Sequence, residues 1–296
     1  MQLSSLYYHV GGHLLQIVCN DITRIESSLP SFKDFKTSIR SNSPLIKLCI
    51  TDEEQEAIGE ERYRYYWEGC EFVFLKKENG YTMILSPDNN DCCFILDCMN
   101  GFREARIKLS GQIQLDAYIL KNILMMLYAF ASADRNTLLM HASVIEREGI
   151  GYLFLGKSGT GKSTHSRLWL NHIADTSLLN DDNPIVRIID NEVFVFGSPW
   201  SGKTHCYRNL QCKLGGFVFL KQAPHNKISR IPLVLSFGKV LSSSSAMKWE
   251  NKYHDAVCDT ASKVAELSRI FSLECLPDEA AAQLCFQTLK ADDGAK

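Results

Sequence analysis

The segment GKSGTGKS, residues 156–163, combines glycine, lysine and hydroxyl residues at a spacing that could bind phosphate. It satisfies every position of the pattern G-x-x-x-x-G-K-[ST]. Its glycines let the backbone curl so that several N–H groups face one anion, and a helix beginning near Lys162 would add its positive end. We expect the phosphates of a nucleotide to contact Gly156, Lys157, Ser158, Gly159, Thr160, Gly161, Lys162, Ser163 and Thr164.

Lys162 and Ser163 have separate tasks in such a loop. Lys162 can reach the β- and γ-phosphates, and the Ser163 hydroxyl can ligate Mg²⁺. A magnesium nucleotide site usually adds a carboxylate, and the adjacent Asp181 and Asp182 end a downstream apolar segment. One carboxylate could hold the metal while the other accepts a proton from an attacking hydroxyl, which is kinase chemistry. The same two acids could instead form a solvated turn before Asn183.

The elements around the loop are predicted from apolar patterning. Residues 151–155 form an apolar strand, and residues 162–174 have the periodicity of a helix covered on one face. Residues 136–145 are a second apolar run, joined to the first by a short glycine-containing turn, which predicts a hairpin. From residue 177 on, short strands follow without a helix at each crossover, unlike a doubly wound parallel sheet. The C-terminal part is more helical and closes with a helix after Pro277.

Two domains are expected from the length of the chain and the order of these segments. Residues 1–112 contain short strand-like segments between Gly, Asn, Pro and charged clusters, which favours an antiparallel, β-rich domain. Residues 113–296 would form the nucleotide-binding domain. Their first helix, residues 115–133, contains Asp116 and Lys121, so we interpret it as a core helix and not as a membrane span. The predicted fold class is mixed α/β, with a strand-rich N-terminal domain followed by a P-loop domain.

Composition and charge exclude several classes of protein. The 296 residues are 45% apolar and 22% charged, which is typical of a globular protein and not of a disordered or fibrous one. With 32 basic and 34 acidic side chains, the formal charge of −2 supplies no field that would collect nucleic acid or an anionic membrane. We therefore expect neither as a partner. No repeat is present, and the one low-complexity tract is the four serines at 242–245.

The eleven cysteines do not have the pattern of a secreted disulfide framework. Their number is odd, they are scattered, and the N-terminal segment lacks the basic-then-apolar pattern of a secretory signal. Cys92, Cys93 and Cys98 lie close together, but no CxxC pair has a second half at zinc-finger spacing. We expect reduced thiols that act as small buried hydrophobes in a cytoplasmic protein.

Three motifs in order resemble one known superfamily. LLMHASVI places His141 before the loop, GKSGTGKST is the loop, and NDD at 180–182 follows it. Over about residues 135–290 the chain resembles the HPr kinase/phosphorylase and phosphoenolpyruvate carboxykinase superfamily. The resemblance implies ATP and Mg²⁺ as cofactors. It also implies a nucleotide domain that is strand-rich and not a simple parallel sheet.

The resemblance also implies a role for each matching residue. Lys162 would neutralise the transferred phosphoryl group, Ser163 and Asp182 would ligate Mg²⁺, and Asp181 would be the catalytic base. His141 matches a family histidine near the transferred phosphate. A packed strand histidine with one hydrogen bond is the alternative for His141.

The segment after the aspartate pair departs from the family. The glycine- and arginine-rich segment that bacterial HPr kinases use for their protein substrate is absent, and FGSPWSGKTHCYRN stands in its place. Trp200, Lys203 and Arg208 in this segment could contact a phosphorylated substrate as part of a lid. A surface loop with one tryptophan tucked beneath it is the alternative.

The leading hypothesis is an ATP- and Mg²⁺-dependent kinase that transfers the γ-phosphoryl group to a hydroxyl, on a protein serine or a small molecule. Free-serine kinases of the same superfamily are a further possibility that no residue of the sequence rejects. The alternatives are a nucleotide-responsive binding module without transfer, an ATPase, and phosphoenolpyruvate carboxykinase-like activity. Carboxykinases are much longer, and the residues that bind their second metal and carboxylate substrate have no match here. The sequence does not identify the phosphoryl acceptor or decide whether the protein forms a homo-oligomer.

Overall fold

The computed structural model of the chain describes residues 3–88, 92–202 and 204–293. These residues form two compact units. The first unit contains the described residues up to Ser132 together with the short segment Met247–Asn251. The second unit contains Ala133–Ala246 and the described residues from Lys252 onward. The protein is a mixed α/β protein with one large sheet in each unit, as the sequence predicts.

The first unit begins with a hairpin and one short helix, and ends with a long helix. Its elements are β1 (Ser4–Val10), β2 (His13–Cys19), α1 (Ile22–Ser28), a 3-10 helix (Pro30–Phe35), β3 (Ile46–Ile50), β4 (Glu60–Trp67), β5 (Cys70–Lys77), β6 (Gly80–Pro87), β7 (Phe94–Met99), β8 (Glu104–Ile107) and α2 (Ile113–Ala131).

The eight strands form one sheet in the order β1-β2-β3-β8-β7-β6-β5-β4. The predicted antiparallel arrangement is wrong for part of this sheet, since β3 is parallel to both β2 and β8. The chain reaches β3 from β2 through α1 and the 3-10 helix, and such a crossover is what parallel neighbours require. Tyr8 of β1 packs edge-on against Phe32 of the 3-10 helix, so these helices cover one face of the sheet.

Helix α2 belongs to the first unit, whereas the sequence analysis assigned it to the second domain. It is long and apolar enough to cross a membrane by length and composition, but most of it is buried in the protein. Its Phe130 packs against Phe74 of β5 and against Phe102. Its Asp116 is fully buried and forms an ion pair with Arg24 of α1. This burial is what the core-helix interpretation predicts, and the first compact unit extends through Ser132, past the end of the helix.

The second unit contains runs of short strands separated by helices, and it contains residues 156–161, the loop that the sequence predicts to bind phosphate (the phosphate loop). Its elements are β9 (Thr137–Leu139), β10 (Ala142–Arg147), β11 (Ile150–Leu155), α3 (Lys162–His172), β12 (Thr176–Asp182), β13 (Ile185–Ile189), β14 (Glu192–Phe196), β15 (Gln211–Gln222), β16 (Lys227–Arg230), α4 (Leu233–Ser242), α5 (Asn251–Leu267), β17 (Ile270–Cys275) and α6 (Glu279–Asp293).

The strands of the second unit form a mixed sheet in the order β12-β10-β11-β15-β14-β13-β9, with β17 beside β15 and β16 beside β17. The predicted hairpin is confirmed: β10 and β11 are antiparallel and joined at Glu148 and Gly149, which have φ of +53° and +77°. Positive φ at both positions is typical of a two-residue hairpin turn. Strand β15 is parallel to β11 and β17 and antiparallel to β14.

Helices cover both faces of this sheet. On one face, Val240 of α4 and Val257 of α5 belong to an apolar core with residues of β10, β11 and β15. On the other face, Trp169 of α3 and Cys285 of α6 pack with Phe154 of β11. The two cores hold β11 and the start of α3 in place, and the phosphate loop connects these two elements.

The cysteines all lie within the described residues, and none of them forms a disulfide. Cys98 is buried as expected, whereas Cys92 is half-buried and Cys93 is exposed. Burial raises the pKa of the Cys212 thiol to about 11, so this cysteine behaves as a protonated hydrophobic residue.

Candidate active site at the phosphate loop

The loop between β11 and α3 has the backbone that its glycines predict. Gly159 and Gly161 have φ of +82° and +100°, a region that favours glycine. A Cβ at Gly156 would lie 2.5 Å from Thr160 Oγ1, so no larger residue fits there without rearrangement. Gly161 caps α3 without a side-chain hydrogen bond, which leaves the first-turn amides of the helix to bind an anion.

Lys162 lies at the centre of the site. Its Nζ donates to the Gly156 carbonyl over 3.0 Å and lies 3.1 Å from Nε2 of His141. Burial lowers the pKa of the Lys162 ammonium below its usual range, while the Asp182 and Asp181 carboxylates act in the opposite direction. The loop therefore holds a partly desolvated positive charge at the position where the γ-phosphate of a nucleotide would need one.

Ser163 contacts Asp181 and not Asp182. Its hydroxyl lies 3.1 Å from Oδ1 and 3.3 Å from Oδ2 of Asp181, whose residue is only 5% exposed. This pairing differs from the expected one, in which Ser163 and Asp182 share a metal. Asp181 is the carboxylate that lies next to the Ser163 hydroxyl of the loop.

Asp182 pairs with His141 instead. Its Oδ1 lies 2.8 Å from His141 Nδ1, and its Oδ2 accepts from the Asn183 side-chain amide over 2.9 Å. Because a carboxylate can only accept, Nδ1 carries the ring proton and Nε2 presents its lone pair to the Lys162 ammonium. The alternative of a packed histidine with one hydrogen bond does not describe this side chain, which is 45% exposed and contacts two charged groups.

The aspartate pair is held by the segment that follows β14. Asp182 has a φ of +139°, which is uncommon for a residue with a side chain. The Asp181 carbonyl accepts from Ser201 Oγ over 3.1 Å and from the Gly202 amide over 2.5 Å. A Cβ at Gly202 would lie 3.0 Å from that of Asp182, so glycine allows this close approach. These contacts fix the turn in which both carboxylates lie.

Asn180 also helps to hold the turn that contains the two aspartates. It is fully buried, and its side-chain amide donates to the Ser198 and Trp200 carbonyls over 3.3 and 3.1 Å. Its Oδ1 accepts from the Asn183 amide over 2.9 Å. No role was predicted for Asn180, Asn183 or Gly202 from the sequence. The only signal was the Asn-Asp-Asp-Asn-Pro run, whose residue types favour side-chain-to-backbone turns.

Trp200 and Arg208 contribute less to the surface of the site than expected. Trp200 is fully buried, and Arg208 donates to Ser177 Oγ over 2.7 Å and to the Leu178 carbonyl over 3.0 Å. Lys203 lies outside the described residues. The described contacts match the alternative of a loop with one tryptophan tucked beneath it.

The oxygen donors beside the loop suit Mg²⁺. This ion is usually bound by one or two carboxylates together with substrate phosphates. Ser163 and Asp181 supply such oxygens next to the phosphate loop. No group of three or more His, Cys, Asp or Glu side chains within the described ranges is arranged to hold a metal. The donor set fits an ion that takes its remaining ligands from a nucleotide.

Comparison with known proteins finds a weak structural similarity and no sequence family. No family model matches the sequence, and no curated protein matches it. Among solved structures, the chain is similar to the Hpr(Ser) kinase/phosphatase from Coxiella burnetii. The similarity has a TM-score of 0.29 and 12% sequence identity, and it covers 54% of this chain and 96% of that one.

Proposed function

We propose that the chain is an ATP- and Mg²⁺-dependent kinase that transfers the γ-phosphoryl group to a hydroxyl, on a protein serine or a small molecule. One observation carries the proposal. Lys162 of the phosphate loop lies 3.1 Å from His141, and His141 lies 2.8 Å from Asp182. The Lys162 ammonium, which would bind phosphate, thus lies beside an imidazole that a carboxylate orients. Transfer to a hydroxyl needs such an oriented base, whereas phosphate binding alone does not.

The geometry favours an exchange of the two aspartate roles that the resemblance implies. We assign Asp181, together with Ser163, to the metal, because its carboxylate lies beside the loop hydroxyl. We assign proton acceptance to His141 Nε2, whose lone pair becomes free when the phosphates engage the Lys162 ammonium, with Asp182 holding the Nδ1 proton. In this arrangement His141 is a base that a third group, Asp182, orients.

The residues of the chain would act mainly by position and charge. The loop amides and Lys162 hold the phosphates, and the His141–Asp182 pair accepts the proton of the acceptor hydroxyl. A bound Mg²⁺ would neutralise charge on the phosphates. Phosphoryl transfer asks for little covalent help, so placement of these groups supplies most of the catalysis. We also propose membership of the HPr kinase and phosphoenolpyruvate carboxykinase superfamily and a cytoplasmic location, on the order of the three motifs and the absence of disulfides.

The test combines nucleotide binding with transfer. Calorimetry with ATP and Mg²⁺ measures binding, and incubation with γ-labelled ATP and cell extract measures transfer to an acceptor. We expect Lys162→Ala to weaken binding and to remove transfer, because the loop loses the charge that neutralises the phosphates. Lys213→Ala is the control, since Lys213 pairs with Glu192 at the surface. Its binding and transfer should equal those of the unmodified chain.

Three results would contradict the kinase proposal. Tight binding without any labelled product would indicate a nucleotide-responsive module. Release of free phosphate without a labelled acceptor would indicate an ATPase. No heat with any purine triphosphate would remove the nucleotide site altogether.

A further inference from the structure

The serine run at 242–245 lies directly alongside His141. The His141 amide donates to the Ser243 carbonyl over 2.7 Å, and the Ser245 amide donates to the Leu139 carbonyl over 2.8 Å. Met140 and Ser244 are the bridge partners between these two bonds. The run is therefore antiparallel to residues 139–141, and Ser243 is the residue opposite His141.

The four serine hydroxyls are not equivalent. Ser242 Oγ donates to the Lys239 carbonyl and Ser244 Oγ to the Val240 carbonyl, both over 2.9 Å, so both are used by the end of α4. Ser243 Oγ makes no hydrogen bond to any described residue, and the side chain is only half-buried. Ser243 thus combines an unengaged hydroxyl with a position beside the histidine.

The backbone pairing places Ser243 beside the residue assigned to proton transfer. His141 Nε2 in turn lies 3.1 Å from the Lys162 ammonium. Ser243 is thus the backbone neighbour of His141, the residue that is assigned above to proton acceptance and that contacts the Lys162 ammonium.

We propose that Ser243 is an autophosphorylation site, modified by the active site of its own chain; this inference rests on the proposed kinase function. The Ser243 oxygen forms a bond to the γ-phosphorus of ATP while the bond from that phosphorus to the β,γ-bridging oxygen breaks. ADP leaves with the electron pair, and the hydroxyl proton passes to His141 Nε2. The phosphoserine would carry about −1.5 to −2 charges beside Lys162 and would compete with the γ-phosphate of the next ATP.

The experiment uses the full chain with γ-labelled ATP and Mg²⁺ and no added acceptor. Peptide mass spectrometry should place one phosphate on Ser243, at an initial rate per molecule that does not change with protein concentration. Ser243→Ala should lose the label and Ser243→Thr should keep it, because threonine retains the hydroxyl. Ser242→Ala is the matched control and should keep it. Thermal unfolding of each variant checks that it folds.

Several outcomes would overturn the inference. The inference is wrong if the label persists in Ser243→Ala or if it lies on Ser245. It is also wrong if the labelling rate per molecule rises with protein concentration. Calorimetry and transfer to cell extract on the same samples separate this failure from that of the kinase proposal. An unlabelled chain that still binds ATP and labels an extract acceptor overturns the Ser243 site alone. A chain that binds no ATP loses both.

Discussion

The two adjacent aspartates show how strongly the surroundings of a residue decide its role. Both Asp182 oxygens are engaged, one by His141 and one by Asn183, whereas the Asp181 oxygens contact the Ser163 hydroxyl. Consecutive strand residues point to opposite sides, and the unusual φ of Asp182 changes its direction further. A sequence in which Asp follows Asp contains no signal for this difference.

The exchanged roles predict different responses to Mg²⁺. Asp181→Asn should raise the Mg²⁺ concentration for half-maximal rate by at least about 10-fold, because metal affinity falls by this much even when supporting groups are lost. Asp182→Asn should lower kcat at saturating Mg²⁺ by about 100-fold or more, the usual contribution of general base catalysis. Titration of the initial rate with Mg²⁺ for both variants measures these effects.

The assignment that the family resemblance implies, with Asp181 as the base and Asp182 as a metal ligand, makes the opposite prediction. The same titrations test it. If Asp181→Asn lost transfer at every Mg²⁺ concentration while Asp182→Asn only shifted the Mg²⁺ requirement, Asp181 would be the base. Asp190→Asn is a suitable control, since Asp190 lies in the turn between β13 and β14.

At the scale of elements, α3 depends on a buried histidine for its position. His165 lies one turn after the phosphate loop, is 3% exposed, and packs edge-on against Phe154 of β11. Its Nε2 accepts from Trp169 Nε1 over 3.2 Å. Burial lowers the pKa of His165 to about 4, so the ring stays neutral and keeps this acceptor through the physiological range.

This histidine should make stability depend on pH in a defined direction. Above pH 6.5 the ring is neutral in both states, and as pH falls only the unfolded chain gains a proton until the folded pKa of about 4 is reached. The free energy of unfolding should therefore fall by about 3 kcal/mol across this window. Urea unfolding between these pH values should show the loss. His165→Gln, which cannot titrate but keeps an acceptor for Trp169, should lose correspondingly less; equal slopes for both proteins would contradict the argument.

Elements could be predicted where their signals are local. The β10–β11 hairpin, the phosphate loop and α3 follow one another within forty residues, and each is encoded by its own turn or capping chemistry. The parallel pairing of β2, β3 and β8 depends on residues far apart in sequence, so the antiparallel prediction failed there. The contacts that hold the aspartate pair come from Ser201 and Gly202, which are about twenty residues downstream. No local sequence pattern predicts these contacts.

At the scale of the whole molecule, the first unit is not one continuous stretch of chain. The segment Met247–Asn251 returns to it after the chain has formed much of the second unit. Trp249 in this segment stacks on Tyr63 of β4, with ring centroids 3.9 Å apart, and lies 4.9 Å from Phe74 of β5. Glu250 forms an ion pair with Lys76 of β5 and also accepts from Tyr81 of β6. Residues encoded far downstream therefore pack against the sheet of the first unit.

Trp249→Ala should therefore destabilise the first unit and leave the candidate site of the second unit intact. A fully buried tryptophan costs about 3–5 kcal/mol when truncated, and for this half-buried one we expect about 2–3 kcal/mol. Hydrogen exchange read by mass spectrometry should show faster exchange in β4 and β5, while β11 and α3 keep their protection. Trp67→Ala, which removes a tryptophan that is 49% exposed on the same strand as Tyr63, should change exchange much less. Equal loss of protection in α3 would mean that the segment supports the second unit, and unchanged β4 would mean that the stack contributes no stability.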